Sequence, residues 1–150
     1  MNRSPFWVDN STAPPAELVK REGCNCAGLI NLIRRKLNLS IPGVEFKLYY
    51  AGGTYVWFEY LKYFNFIDNL DLDSEYPIGT LLIRKYRSLE DQGHLAILLT
   101  TGRLLDQKVL HCYPEKGIQI DDKVSLSHYW LPNGYYEYIC KPDYWLHYLK

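Results

Sequence analysis

"GHLAILLTTGRLLDQKVLHCY", residues 93–113, decides how this chain folds. Its front, GHLAILLT (93–100), is apolar at odd and even positions alike. A strand covered on both faces, central in its sheet, reads this way. KVLHCY (108–113) is a second strand, and the intervening TTGRLL holds a tight turn at Gly102-Arg103. With the turn there, facing residues have numbers that sum to 205, so His94 meets His111 on one face of the ladder. The polar DQK (106–108) fits poorly in a continuous strand. A longer loop slides the partner by a residue or two and leaves the strands neighbours.

Further strands flank this pair. YPIGTLLIRKY (76–86) is a turn feeding a strand, KGIQI (116–120) follows the hairpin, and YYEYICKP (135–142) alternates as a closing strand should. Upstream, CNCAGLINLIRRKL (24–37) sets apolar side chains at 26, 29, 30, 33 and 37, the one-face spacing of a helix. Asn25 is placed to cap that helix, and SIPG (40–43) to end it. Arg34, Arg35 and Lys36 read as its solvated face. In GVEFKLYYAGGTYVWFEYLKYF (43–64) the front alternates like a strand, while 54–64 suits an aromatic-rich helix on the core. Residues 2–23, with Pro5, Pro14 and Pro15, form an irregular lead-in holding a short helical piece at Ala16–Arg21. Helices first and antiparallel strands after give an α+β chain with no internal linker. The expectation is one domain over residues 1–150, with 1–22 as lead-in and 23–142 as core.

Composition narrows the function. At 150 residues and 47% hydrophobic content the chain can bury a sizeable core. Its 17 basic and 17 acidic residues cancel, which argues against a nucleic-acid partner. The beginning, MNRSPFWVDNSTAPPAEL, has no secretory signal, and no apolar run reaches membrane-span length. No stable membrane insertion is expected. Four cysteines, Cys24, Cys26, Cys112 and Cys140, are too few for a disulfide scaffold and read as free thiols.

Cysteine attacks as thiolate, and an ordinary thiol is mostly protonated at neutral pH. A helix start offers unpaired N–H groups and about half a positive charge. Cys26 sits there; Cys24 falls before the cap. The same N–H groups can hold an oxyanion, so Cys26 is the candidate nucleophile. It needs a base within reach and an orienter for that base, and one hairpin can supply both as His94 and His111. Taken singly, a cysteine on an apolar helix face reads as core, and so does a histidine on a buried strand. Their conjunction points to catalysis. A zinc site pooling Cys24, Cys26, His94, His111 and Cys112 is disfavoured, because Cys-x-Cys is a tight spacing and His111 and Cys112 point to opposite strand faces. His128 and His147 read as structural or surface residues, and Cys140 as core. Asp121-Asp122 reads as a turn whose carboxylate could assist the histidines.

These residues resemble a family. NCAGLINLI (25–33) is similar to the Asp-Cys-Ser-Gly-Leu helix opening of NlpC/P60 cysteine peptidases. PIGTLLIRKY (77–86) resembles their Pro-Gly-Asp-Leu strand, and GHLAILLTTGRLL…VLH their Gly-His-Val-Gly-Ile-Tyr hairpin with its polar third residue. More faintly, HYW…YYEYICKP (128–142) is similar to the closing Trp and final strand. The resemblance runs over about residues 5–142 in the family's own order. It implies a papain-like fold, with helices packed on a central antiparallel sheet. It implies Cys26 as nucleophile, His94 as general base and acid, and His111 as the orienter of His94. It further implies cleavage of an amide bond in a peptide or peptidoglycan-like substrate, with no metal or organic cofactor. Asn25, Ala27 and Thr80 stand where the family has Asp, Ser and Asp, and Phe6 and Trp7 where it has an upstream Tyr. Without an export signal, a cytoplasmic or phage- or virus-delivered protein is expected. Two other readings use the same residues: an acyltransferase or lipid hydrolase, and an inactive binding module that kept the fold.

Overall fold

The computed structural model describes residues 26–39, 54–87, 93–113, 117–125 and 136–148. The lead-in, the cap residue Asn25, the SIPG stop, the alternating stretch before residue 51 and His128 lie outside them. The first described element is α1 (Cys26–Lys36). Its buried face holds Ala27, Leu29, Ile30, Asn31 and Arg34, and Ile33 packs against the core beside it. Leu29, Ile30 and Ile33 belong to the stripe the apolar pattern marks, and Asn31 and Arg34 add two polar groups to it. Leu37 lies past the helix end and is exposed.

Arg34 corrects the expectation of a solvated basic face. It is fully buried, and its guanidinium donates to the Trp145 carbonyl at 2.8 Å. Burial pushes its pKa down to about 10. Asn31 is satisfied in turn, since its Oδ1 accepts the Trp57 indole N–H at 2.7 Å. The helix also stops sooner than its proline. Asn38 takes the left-handed conformation (φ 59°), the Leu39 N–H bonds the Arg34 carbonyl at 2.8 Å, and the Asn38 N–H bonds the Arg35 carbonyl at 3.0 Å. This paired closure satisfies carbonyls the last turn would otherwise leave bare.

The aromatic stretch is a helix, α2 (Thr54–Tyr63), burying Val56, Trp57, Phe58 and Leu61. It ends by the same device, with Asn65 at φ 60° and the Phe66 N–H on the Leu61 carbonyl at 2.8 Å. Strands follow: β1 (Ile67–Asn69), β2 (Glu75–Tyr76), β3 (Leu81–Arg84), β4 (His94–Leu98), β5 (Gly102–Arg103), β6 (Val109–Tyr113), β7 (Gly117–Asp121) and β8 (Tyr138–Cys140). A π-helical turn, Tyr144–Tyr148, comes after them. Six strands make one sheet in the order β1-β8-β3-β4-β6-β7, each neighbouring pair antiparallel. The chain is therefore α+β, and β3 and β4 are buried along their whole length as central strands should be.

Alternation sorts the core into two layers. Leu81, Ile83, Leu95, Ile97 and Cys140 face Ala27 and Ile30 of α1 and Trp57, Phe58 and Leu61 of α2. Leu82, Ala96, Leu98, Val109 and Ile139 face the other way, onto Leu104, Val124 and Tyr136.

The hairpin differs from expectation in its turn. Gly102-Arg103 is not the hinge: it is β5, paired with Glu75-Tyr76 of β2. A 3-10 turn at Leu104–Asp106 lengthens the connection. Gln107 is buried inside it, donating from its amide to the Gly102 and Tyr76 carbonyls at 2.6 and 3.1 Å. The ladder accordingly pairs Ala96 with His111 and Ile97 with Leu110, so facing numbers sum to 207. The slip is two residues. Because side chains alternate with period two, an even slip changes the partner and keeps the face.

Candidate active site

His94 opens β4, directly after Gly93, which holds φ at 77°. A Cβ added to Gly93 would sit 2.4 Å from the Arg84 carbonyl oxygen, so backbone closeness as well as φ requires glycine there. His111 lies mid-strand in β6, diagonal to His94 and on the same face. His94 Nε2 and His111 Nδ1 are 2.8 Å apart, a hydrogen bond between two buried rings. The sequence expectation of a neighbouring histidine pair holds, through a register it did not anticipate.

The chain of bonds continues one strand further. His111 Nε2 lies 2.8 Å from Oδ2 of Asp121, the last residue of β7. Asp121 pairs with Val109, so it too is a diagonal neighbour of His111 on this face. Three strands thus carry a polar line, His94–His111–Asp121, across the sheet. Burial pushes the His111 pKa below its ordinary 6.5, an effect the Asp121 hydrogen bond and charge oppose. Tyr136 lies against the His94 ring at 6.0 Å and a 28° tilt, and buried Arg84 is the register partner of His94.

Asp121 was legible as a turn residue whose carboxylate could assist the histidines, without its bond to His111. Its place follows from β7 ending at it, and a two-residue acidic turn carries no signal for that. Tyr136 and Arg84 carried no signal at all, being one aromatic and one cation among many.

Cys26 is the first residue of α1; its side chain lies outside the described residues, as does Cys24. The body of α1 rests on the sheet face of Leu95 and Ile97, opposite the face of the histidines. The sheet therefore intervenes between the body of α1 and the two imidazoles. The last turn of α1 is tied by Arg34 to the Trp145 carbonyl, the Trp145 indole donates to the Gly79 carbonyl at 2.7 Å, and the Gly79 N–H donates to the Leu98 carbonyl at 2.8 Å. These bonds link the last turn of α1, through Trp145, to the Leu98 end of β4. From there the helix crosses β4 and β6, the strands of the two histidines. Helix and strand are each about 16 Å long at standard rises.

The remaining cysteines are structural. Cys112 and Cys140 are buried free thiols, and burial raises the Cys140 pKa to about 12. His147 falls in the closing turn. Among the described residues, no three His, Cys, Asp or Glu side chains converge as metal ligands. Thr80, where the family has Asp, is buried with its hydroxyl on the Pro77 carbonyl at 2.7 Å. An open groove of about 1220 Å³ between Phe66, Tyr76, Pro142 and Tyr144 includes Thr80 in its wall. Thr80 bonds the Leu98 N–H, at the end of β4 away from His94. Among the described residues no helix is long and apolar enough to cross a membrane.

Comparison with family models, with curated proteins and with solved structures finds no match to this chain.

Proposed function

We propose that this chain is a thiol hydrolase of papain-like, NlpC/P60-type architecture, cleaving an amide bond in a small, peptidoglycan-like peptide. One observation supports it most: the 2.8 Å bond between His94 and His111 at the start of the central strand, in a chain whose first described helix begins with Cys26. In this reading the Cys26 Sγ proton passes to His94, and the thiolate attacks the scissile carbonyl carbon. The helix's leading N–H groups hold the resulting oxyanion. Collapse breaks the C–N bond, and the amine leaves with the proton from His94. Water, deprotonated by His94, then attacks the thioester and returns the free thiol. His111 holds the His94 ring in place throughout.

Two observations favour a second reading, an inactive binding module. Both imidazoles are buried, and the body of α1 covers the opposite sheet face. Limiting iodoacetamide at pH 7.5, followed by peptide mass spectrometry, separates the two. The hydrolase reading expects Cys26 to be modified first, and expects His94→Ala to slow that modification about tenfold or more. Uniformly slow labelling of all four thiols, indifferent to His94→Ala, would sink it in favour of the module.

A further inference from the structure

We infer that Asp121, which lies outside the proposed Cys-His-His triad, sets the tautomers of both imidazoles and so determines which nitrogen of His94 can take a proton. The inference deepens the hydrolase reading and rests on it for its consequence, but not for its structural content. A carboxylate only accepts hydrogen bonds. At 2.8 Å from Asp121 Oδ2, His111 Nε2 must therefore carry the hydrogen. In neutral His111, Nδ1 is then bare and is an acceptor. His94 Nε2 lies 2.8 Å from that Nδ1, so the hydrogen between the rings belongs to His94. In neutral His94, Nδ1 is left as the basic atom. One carboxylate thus commands a proton address two strands away, through two buried rings.

Burial favours the neutral form of His111. His111 is fully buried, and the Asp121 side chain bonded to it is 29% exposed. The diagonal placement on three successive strands puts His111 between His94 and Asp121. Reversing any one bond reverses both: a donor in place of Asp121 would move the His111 hydrogen to Nδ1, push the shared hydrogen onto His111, and load the His94 hydrogen onto Nδ1. His94 would then present a donor where the proposed mechanism needs a base. Asp121 is a positioning residue, acting only through His111.

Long-range proton–nitrogen correlation spectra of the ¹⁵N-labelled full chain at pH 7.5 read the tautomers without reference to any substrate. The expected result is Nε2–H with bare Nδ1 for both His94 and His111. Asp121→Asn, whose amide can donate, is expected to move the hydrogen to Nδ1 on both rings, and Asp121→Glu to restore the original pattern. In parallel, Cys26 alkylation should slow about tenfold or more in Asp121→Asn and recover in Asp121→Glu, by analogy with the loss a wrong histidine tautomer causes elsewhere. Should the tautomers swap while Cys26 labelling stays unchanged, the inference stands and the thiol reading falls. Wild-type spectra with Nδ1–H on either ring, or tautomers indifferent to Asp121→Asn in a folded sample, would overturn the inference whatever Cys26 does. If Asp121→Asn fails to fold, as its amide spectrum would reveal, the wild-type and Asp121→Glu tautomers decide alone.

Discussion

At the scale of single residues, two buried ionisable groups make opposite demands on stability. His111 titrates below its ordinary 6.5 in the folded chain because burial opposes its charge more than Asp121 favours it. The unfolded chain binds this proton more readily than the folded one. The stability associated with neutral His111 is therefore complete above pH 6.5 and is lost as the pH falls below it and through the lowered folded value. Urea midpoints at pH 7.5 and pH 5 should show a smaller acid loss in His111→Gln than in wild type; an equal loss would mean other groups carry it. Arg34 is the reverse case, a cation kept charged in the core by the Trp145 carbonyl. Arg34→Ala removes that bond and opens a cavity, costing about 3 kcal/mol in urea unfolding. Arg34→Met should cost less, because it keeps the volume and removes a buried charge. The sequence alone misplaced Arg34, since three adjacent cations at a helix end match both a solvated face and a favourable dipole interaction. Distant partners distinguish it: the Trp145 carbonyl, 111 positions away, and the Trp57 ring.

At the scale of elements, both described α-helices stop on asparagine. Asn38 and Asn65 hold positive φ, a conformation that costs a residue with a Cβ about 1–2 kcal/mol unless its side chain compensates. Asn38→Gly should leave stability equal or raise it by up to about 1 kcal/mol, and Asn38→Ala should lower it by about 1 kcal/mol, measured by thermal or urea unfolding. A fall in both variants would show that the Asn38 side chain, and not its backbone, closes the helix. Gly93 is the stricter case. Gly93→Ala sets a methyl against the Arg84 carbonyl at the mouth of β4, and should cost about 3 kcal/mol or more or prevent folding. The strand pair of His94 and His111 was legible because alternation is a local property, and an even register slip preserves it. The register itself was not legible. It depends on Gln107 folding inward to bond the Gly102 and Tyr76 carbonyls, and a polar DQK run advertises a loop without saying how long.

At the scale of the whole molecule, the sheet separates two kinds of order. One face is sealed by helices over aliphatic side chains, and the other carries the His94–His111–Asp121 line beside a second apolar cluster. The α+β class was legible because it needs only the kinds of element and their order along the chain. The polar line needed the positions of three strands at once, two of them separated by a loop of undetermined length. What aligns the two faces is remote from both. Trp145 accepts Arg34 of α1 at its carbonyl and donates its indole N–H to Gly79 ahead of β3, joining the helical layer to the sheet at the Leu98 end of β4. Trp145→Phe deletes the indole bond and part of the packed ring, a loss of about 2 kcal/mol. Because the tie is local to α1 and β3, amide hydrogen exchange should accelerate there first, while β6 and β7 keep their protection. Uniform acceleration across all strands would mean that the closing turn supports the fold globally and does not hold α1 in place. If exchange is selective, α1 has been released at its far end. On the proposed hydrolase reading, preferential Cys26 labelling should then fall in the same variant, while the histidine tautomers, on the proposed Asp121 relay, stay as they are.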